Sequence, residues 1–204
     1  MLLSLTQQSP DTNSSGLLWG NGRRWAVGIP ASLLLLLIPI YAMSVATNAT
    51  AMNHDEGVYI ATAKAMAEGH GFKIDSYPAA LVQTKYPVVL PFLLSLAWRI
   101  DPHFPENAPL LKTVSIFAVF AWLACCVLYF YRNAGMSIAI TLWLTAFVTV
   151  NQWAMYLTAT VMSDILYAAL AMAVLLLVAS DSISYRQIIG AALFASVAYL
   201  TRTA

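Results

Sequence analysis

Asp55 and Glu56 are adjacent carboxylates in the run Asn53-His54-Asp55-Glu56-Gly57-Val58-Tyr59. A carboxylate beside an acceptor hydroxyl can take its proton as a general base. Neighbouring helical residues project about 100° apart, so the two acids cannot address one substrate atom equally. Asp55 is the expected base, with Glu56 as the capping-box partner of Asn53 three residues earlier. The same positions also suit two ordinary helix-start acids, each favoured by the dipole by about 0.3–1 kcal/mol. Lys85-Tyr86-Pro87 offers a point charge for a phosphate, with Tyr86 beside it as a substrate contact. A lysine snorkelling next to an interfacial tyrosine would look the same. Arg202 could hold a phosphate in bidentate fashion or simply anchor a helix end at an interface. Asp164 follows Ser163, the expected N-cap, and is either a dipole-favoured acid or a substrate contact at a polar cavity. His54 and His70 are not spaced as a ligand set. No metal site or other cofactor is expected, although the chemistry has room for a divalent ion.

These groups need elements to position them, and composition says what kind. Of 204 residues, 60% are hydrophobic and only 9% charged, against about 25% charged in ordinary soluble domains. Disorder requires the opposite balance. A net charge of +1 gives no footprint for nucleic acid. Cys125 and Cys126 are adjacent in an apolar run and read as packing residues. The expected class is all-α, a polytopic transmembrane helix bundle.

A crossing takes about 20 apolar residues, which predicts spans at 25–47, 110–131, 137–157 and 165–179. A fifth, 188–200, is short for a crossing, and the chain is expected to stop partway through a larger protein. Arg23, Arg24, Arg132 and Arg186 fall on one side, which the positive-inside rule makes cytoplasmic. Residues 1–24 are then a cytoplasmic N-terminal segment. The long loop 48–109 lies outside, and its Lys64, Lys73, Lys85 and Arg99 do not overturn that orientation, because long segments escape the rule. Cleavage of a signal peptide near Ala49-Thr50-Ala51, behind the apolar core 33–40 with Pro39, is the competing account of the first span. Either way the loop is extracytoplasmic.

The loop predicts two short helices. One begins at Asn53, carries Val58, Ala61, Ala65 and Met66 at helical spacing, and ends at Gly69 as C′. The other, 88–99, is too short to span and closes with Trp98 and Arg99, which suits a helix lying at the interface.

In this order the motifs resemble a family. Asn53 to Tyr59 after a first span, then Gln83-Thr84-Lys85-Tyr86-Pro87, Ser163-Asp164-Ile165-Leu166-Tyr167 and Leu200-Thr201-Arg202-Thr203, look like the bacterial branch of the GT-C membrane glycosyltransferases. That branch includes protein mannosyltransferase-like and aminoarabinose-transferase-like enzymes. The resemblance covers 25–204, which would be the N-terminal part of such a transferase domain. It implies transfer of a sugar from a polyprenyl-phosphate-linked donor to a glycolipid or protein acceptor, at the outer face of the bacterial inner membrane. It maps the catalytic base to Asp55 and a donor-phosphate contact to Lys85. Arg202 and Asp164 carry over as a second phosphate contact and a substrate contact, and Glu56 as the second acid. Family members are longer, so the 204-residue chain is expected to be inactive alone.

The chemistry agrees with that mapping. A base opposite the leaving group gives inversion at the anomeric carbon. Lys85 and Arg202 could stabilise the departing lipid phosphate without a metal. Two other classes compete. A transporter would concentrate ionisable groups inside its spans, whereas these cluster in one loop and at helix ends. A non-catalytic scaffold would tolerate Asp55→Asn.

Overall fold

The computed structural model describes residues 15–46, 53–76, 78–79, 81–180 and 182–202. Residues 1–14 of the N-terminal segment and the cleavage-like Ala49-Thr50-Ala51 lie outside the described residues. The chain is mostly helical: α1 (Ser15–Val45), α2 (His54–Ala67), α3 (Val89–Ile100), α4 (Ala108–Leu128), α5 (Ile138–Val150), α6 (Gln152–Ala159), α7 (Ser163–Val178) and α8 (Tyr185–Thr201). Between α2 and α3 lies a small antiparallel hairpin, β1 (Lys73–Ile74) and β2 (Leu81–Val82), pairing Lys73 with Val82. An all-α chain was expected, and the hairpin is the one departure from it among the described residues.

Two helices are long and apolar enough to cross a membrane, Trp25–Ser44 within α1 and Ala108–Asn133, where α4 runs on into a π-helical turn. These two mark the chain as a membrane protein. Pro39 does not end the first helix; α1 continues to Val45. The predicted single span 137–157 is instead α5 and α6, bent by 61° at Asn151. The reason is local. Asn151 is extended, and its side chain accepts from the Trp153 N–H at 2.8 Å, so it caps a new helix. That diverts the amide that would have bonded the Thr149 carbonyl. The Tyr41 hydroxyl donates to that carbonyl instead, at 2.8 Å. Counting the bent pair as one span gives three. α7 and α8, with 16 and 17 residues, are shorter than a full crossing.

Two apolar clusters hold the helices together. One joins Tyr59, Ile60 and Ala63 of α2 to Leu90, Leu94 and Trp98 of α3 and Leu111 of α4. The other joins Leu37 and Tyr41 of α1 to Ala118 and Val119 of α4 and Ile165 of α7.

The packed face of α2 differs from the one its apolar spacing predicts. Of Val58, Ala61, Ala65 and Met66, only Ala65 is fully buried; Glu56, Tyr59, Ile60, Thr62 and Ala63 are buried with it. Two polar residues on the inner face hide it from a count of apolar positions. The predicted end is observed: Gly69 is left-handed at φ +84°, and the His70 N–H reaches the Ala65 carbonyl at 2.9 Å. In α3, Trp98 is buried and stacks on Phe104 at 6.0 Å rather than facing an interface, because the helix packs on α2 and α4.

Candidate functional site

Asp55 sits in the first turn of α2, partly exposed, and accepts a short hydrogen bond from the Tyr86 hydroxyl. The loop carrying Tyr86 is shaped by Gln83, a buried side chain whose Oε1 accepts from the Lys85 N–H at 2.9 Å and the Tyr86 N–H at 3.3 Å. Pro87 then leads into α3. Lys85 folds back over its neighbour, with Nζ 5.0 Å from the Tyr86 ring centroid and 3.4 Å from its hydroxyl. His54 completes the group, its Nδ1 lying 3.5 Å from Asp55 Oδ1.

A second group adjoins the first through aromatic packing. The Tyr59 and Tyr86 rings meet edge to face at 5.3 Å. The buried Tyr59 hydroxyl shares a hydrogen bond of 3.1 Å with Ser163 Oγ. The next residue, Asp164, is ion-paired with Arg202 at the end of α8. Groups from α2, the loop before α3, α7 and α8 are thus gathered at one end of the helices.

The charges are tuned by these neighbours. The Tyr86 hydrogen bond holds the Asp55 carboxyl below its ordinary value against a partial desolvation, with His54 and Lys85 acting in the same direction. A hydrogen bond donated by a neutral phenol favours the charged form of its acceptor, which keeps Asp55 a carboxylate. The same bond pushes the Tyr86 phenol up. Burial pushes Tyr59 up, and the charges of Asp55 and Asp164 add to this, so it stays a neutral hydroxyl.

The geometry corrects several sequence expectations. Glu56 is no capping-box partner and does not share the Asp55 site. It is turned inward, 1% exposed, and its Oε1 accepts from the Val161 N–H at 3.0 Å. The helical offset puts it on the buried face, toward the turn between α6 and α7. Asn53 makes no side-chain cap and instead donates to the Tyr156 hydroxyl of α6. Ser163 is not the N-cap of α7, because Met162 takes that position and the Ser163 hydroxyl turns to Tyr59. Lys85 contacts Tyr86, while Arg202 pairs with Asp164.

Three contributors escaped the sequence. Tyr59 reads as ordinary packing, yet it joins the two groups. Gln83 and His54 give no signal until the loop is folded against α2. At the far end of α2, Glu68, His70 and Asp75 bring ligand atoms within 4.8 Å of one another. Histidine nitrogen with two carboxylates suits zinc or manganese, but the trio is exposed and remote from the first turn. His70 finds these partners because the hairpin carries Asp75 back to it.

Between α1, α4 and α5 lies a cavity of about 710 Å³ with almost wholly apolar walls, among them Leu34, Ile38, Val119 and Leu123. The hydroxyl-bearing Tyr41, Thr149 and Thr158 also line it.

No family model matches the chain, and no curated protein or solved structure is similar to it. An ionised carboxylate, a phenol and a lysine in one partly open cluster can accept a proton beside a cation. The Asp164–Arg202 pair adds a guanidinium with donors left over for an anion.

Proposed function

We propose that the chain carries the base of a membrane glycosyltransferase. In this reading a sugar moves from a polyprenyl-phosphate donor to a hydroxyl of a glycolipid or protein acceptor, at the outer face of a bacterial inner membrane. The observation that carries it is Asp55 held as a carboxylate by Tyr86 with Lys85 alongside. The resemblance of the motifs around Asp55, Lys85, Asp164 and Arg202 to the GT-C enzymes supports the same assignment.

In the reaction, Asp55 takes the proton of the acceptor hydroxyl as its oxygen bonds to the anomeric carbon. The bond from that carbon to the phosphate oxygen breaks, and the lipid phosphate leaves on the opposite face with the electron pair. Configuration inverts. Lys85 and Arg202 bear the growing phosphate charge. Tyr86 contacts the substrate while orienting Asp55, and Asp164 holds Arg202 ready. The apolar cavity is suited to hydrocarbon, as a lipid-linked donor would require. Arg23, Arg24, Arg132 and Arg186 would keep the N-terminus cytoplasmic, leaving the Asp55 loop outside in a multi-pass bundle.

The test uses the protein expressed from its complete reading frame, reconstituted with polyprenyl-phosphate sugars. Wild-type protein should transfer sugar, and Asp55→Asn should cut transfer by orders of magnitude while melting like wild type. Equal transfer by both proteins would overturn the assignment. Absence of transfer by either, with intact folding, would favour a scaffold.

A further inference from the structure

Asn53, Glu56 and Tyr59 recur every three residues at the start of α2, and all three reach the stretch that runs from α6 into α7. Asn53 donates to the Tyr156 hydroxyl, and the Tyr59 hydroxyl shares its bond with Ser163. Glu56 meets the connection itself. The backbone is extended at Thr160 and again at Met162, so only Thr160, Val161 and Met162 separate the two helices. The Thr160 N–H still returns to the Tyr156 carbonyl at 3.1 Å. The next amide, that of Val161, lies past the helix end in a wholly buried residue. A buried N–H needs an acceptor, and Glu56 Oε1 supplies one at 3.0 Å. The carbonyl of the same peptide group belongs to Thr160, and the buried Ser115 of α4 donates to it at 2.9 Å. One peptide group is thus gripped at both ends by side chains from two other helices.

We infer that Glu56 and Ser115 clamp the Thr160–Val161 peptide group and thereby set where α7 starts against α2, which keeps the Asp164–Arg202 pair in register with Asp55 and Tyr86. The Val161 side chain packs with Tyr59, Leu90 and Leu111. That packing fixes its place but not its peptide plane, since apolar contacts of suitable size accept alternative fits. A planar peptide turns as a unit about the bonds on either side of it. With its carbonyl and its N–H both engaged it has one orientation, and the chain leaves Val161 in one direction. Two residues later that direction puts Ser163 on Tyr59, and the residue after it is Asp164 with its Arg202 partner. The adjacent acids therefore divide the work: Asp55 turns outward to Tyr86, and Glu56 turns inward to the connection. Glu56 and Ser115 are positioning residues. Their meaning for sugar transfer rests on the proposed transferase; the geometric claim does not.

The test reads Tyr59 by NMR of the protein from its complete reading frame in nanodiscs, with carbon-13 at the tyrosine ring carbon that bears the hydroxyl. The Tyr59 signal is assigned by its loss in Tyr59→Phe, and Ser163→Ala moves it by removing the hydrogen-bond partner. In Glu56→Met/Ser115→Ala both grips are gone. The Tyr59 signal should then sit where Ser163→Ala puts it and no longer respond to Ser163→Ala. Glu56→Gln keeps an acceptor oxygen for the Val161 N–H and should keep the wild-type signal and response. A role in stability alone would lower the melting point and leave the Tyr59 signal in place. A folded double variant with the wild-type signal and an intact response would overturn the clamp, as would a Glu56→Gln protein that behaves like the double variant. If the double variant does not fold, Ser115→Ala decides, because it removes one hydroxyl only. A shift in the Ser163→Ala direction supports the clamp, and an unmoved signal refutes it. Sugar transfer is not read, so failure of the transferase proposal leaves these results legible.

Discussion

The helix break at Asn151 and the first turn of α2 are both rich in hydroxyls and polar side chains, yet they use them oppositely. At the break, the hydroxyls of Tyr41, Thr145, Thr149 and Thr158 each donate to a backbone carbonyl. At α2, Asp55 bonds Tyr86, Tyr59 bonds Ser163 and Asp164 bonds Arg202, side chain to side chain. The Thr149 carbonyl, freed at the break inside an apolar layer, has no water to turn to and takes the Tyr41 hydroxyl. The three threonines bond carbonyls four residues back in their own helices. Side chains bonded to one another can exchange partners when a substrate arrives. The first region is closed by its own backbone; the second remains available for chemistry.

Substitutions can break this contrast. The largest effect is expected from Asp55→Asn, which should cut transfer by about 10²–10⁴-fold, the usual worth of a general base, with melting unchanged. A comparable loss from a hinge hydroxyl would erase the distinction. Next is Glu56→Ala, which leaves the buried Val161 N–H without its acceptor and should cost about 1–3 kcal/mol in stability, measured by denaturant titration in detergent. Tyr41→Phe leaves the Thr149 carbonyl without its hydroxyl donor. It should cost about 1–3 kcal/mol and leave kcat of transfer untouched, which assays of unfolding and turnover together would check.

The smallest effect sharpens the contrast. Because the folded carboxyl of Asp55 is held below its unfolded value, the stability it contributes is present above the unfolded pKa and fades as pH falls through the folded one. Tyr86→Phe removes the main cause. The acid limb of the transfer profile should then move to higher pH. A pH profile that does not move would mean that the phenol does not tune the base.

How much was legible in the sequence depended on whether a residue acts through its own type or through its neighbours. The apolar runs of α1 and α4 located themselves, since length and hydropathy are local properties. The break at Asn151 did not, because a hydropathy average passes over two polar residues, Asn151 and Gln152, between apolar stretches. The inner face of α2 was obscured by Glu56 and Thr62, which are satisfied in the interior by the Val161 amide and by the Val58 carbonyl. Asp55, Lys85, Tyr86, Asp164 and Arg202 could each be singled out by type and place. Their grouping could not. It depends on Gln83 bending the loop, on α3 docking against α2, and on α8 returning alongside α7 to bring Arg202 to Asp164.

The sequence separations of these contacts carry a consequence for biogenesis. Asp55 and Tyr86 are 31 positions apart, whereas Tyr59 and Ser163 are 104 apart. During synthesis the Asp55 half can be completed once α3 has docked on α2, while the Tyr59–Ser163 link waits for α7 and the Arg202 partner for α8. A ribosome-bound intermediate therefore displays Asp55 with Tyr86 long before Arg202 joins Asp164, and the two halves assemble in the order in which the helices leave the ribosome.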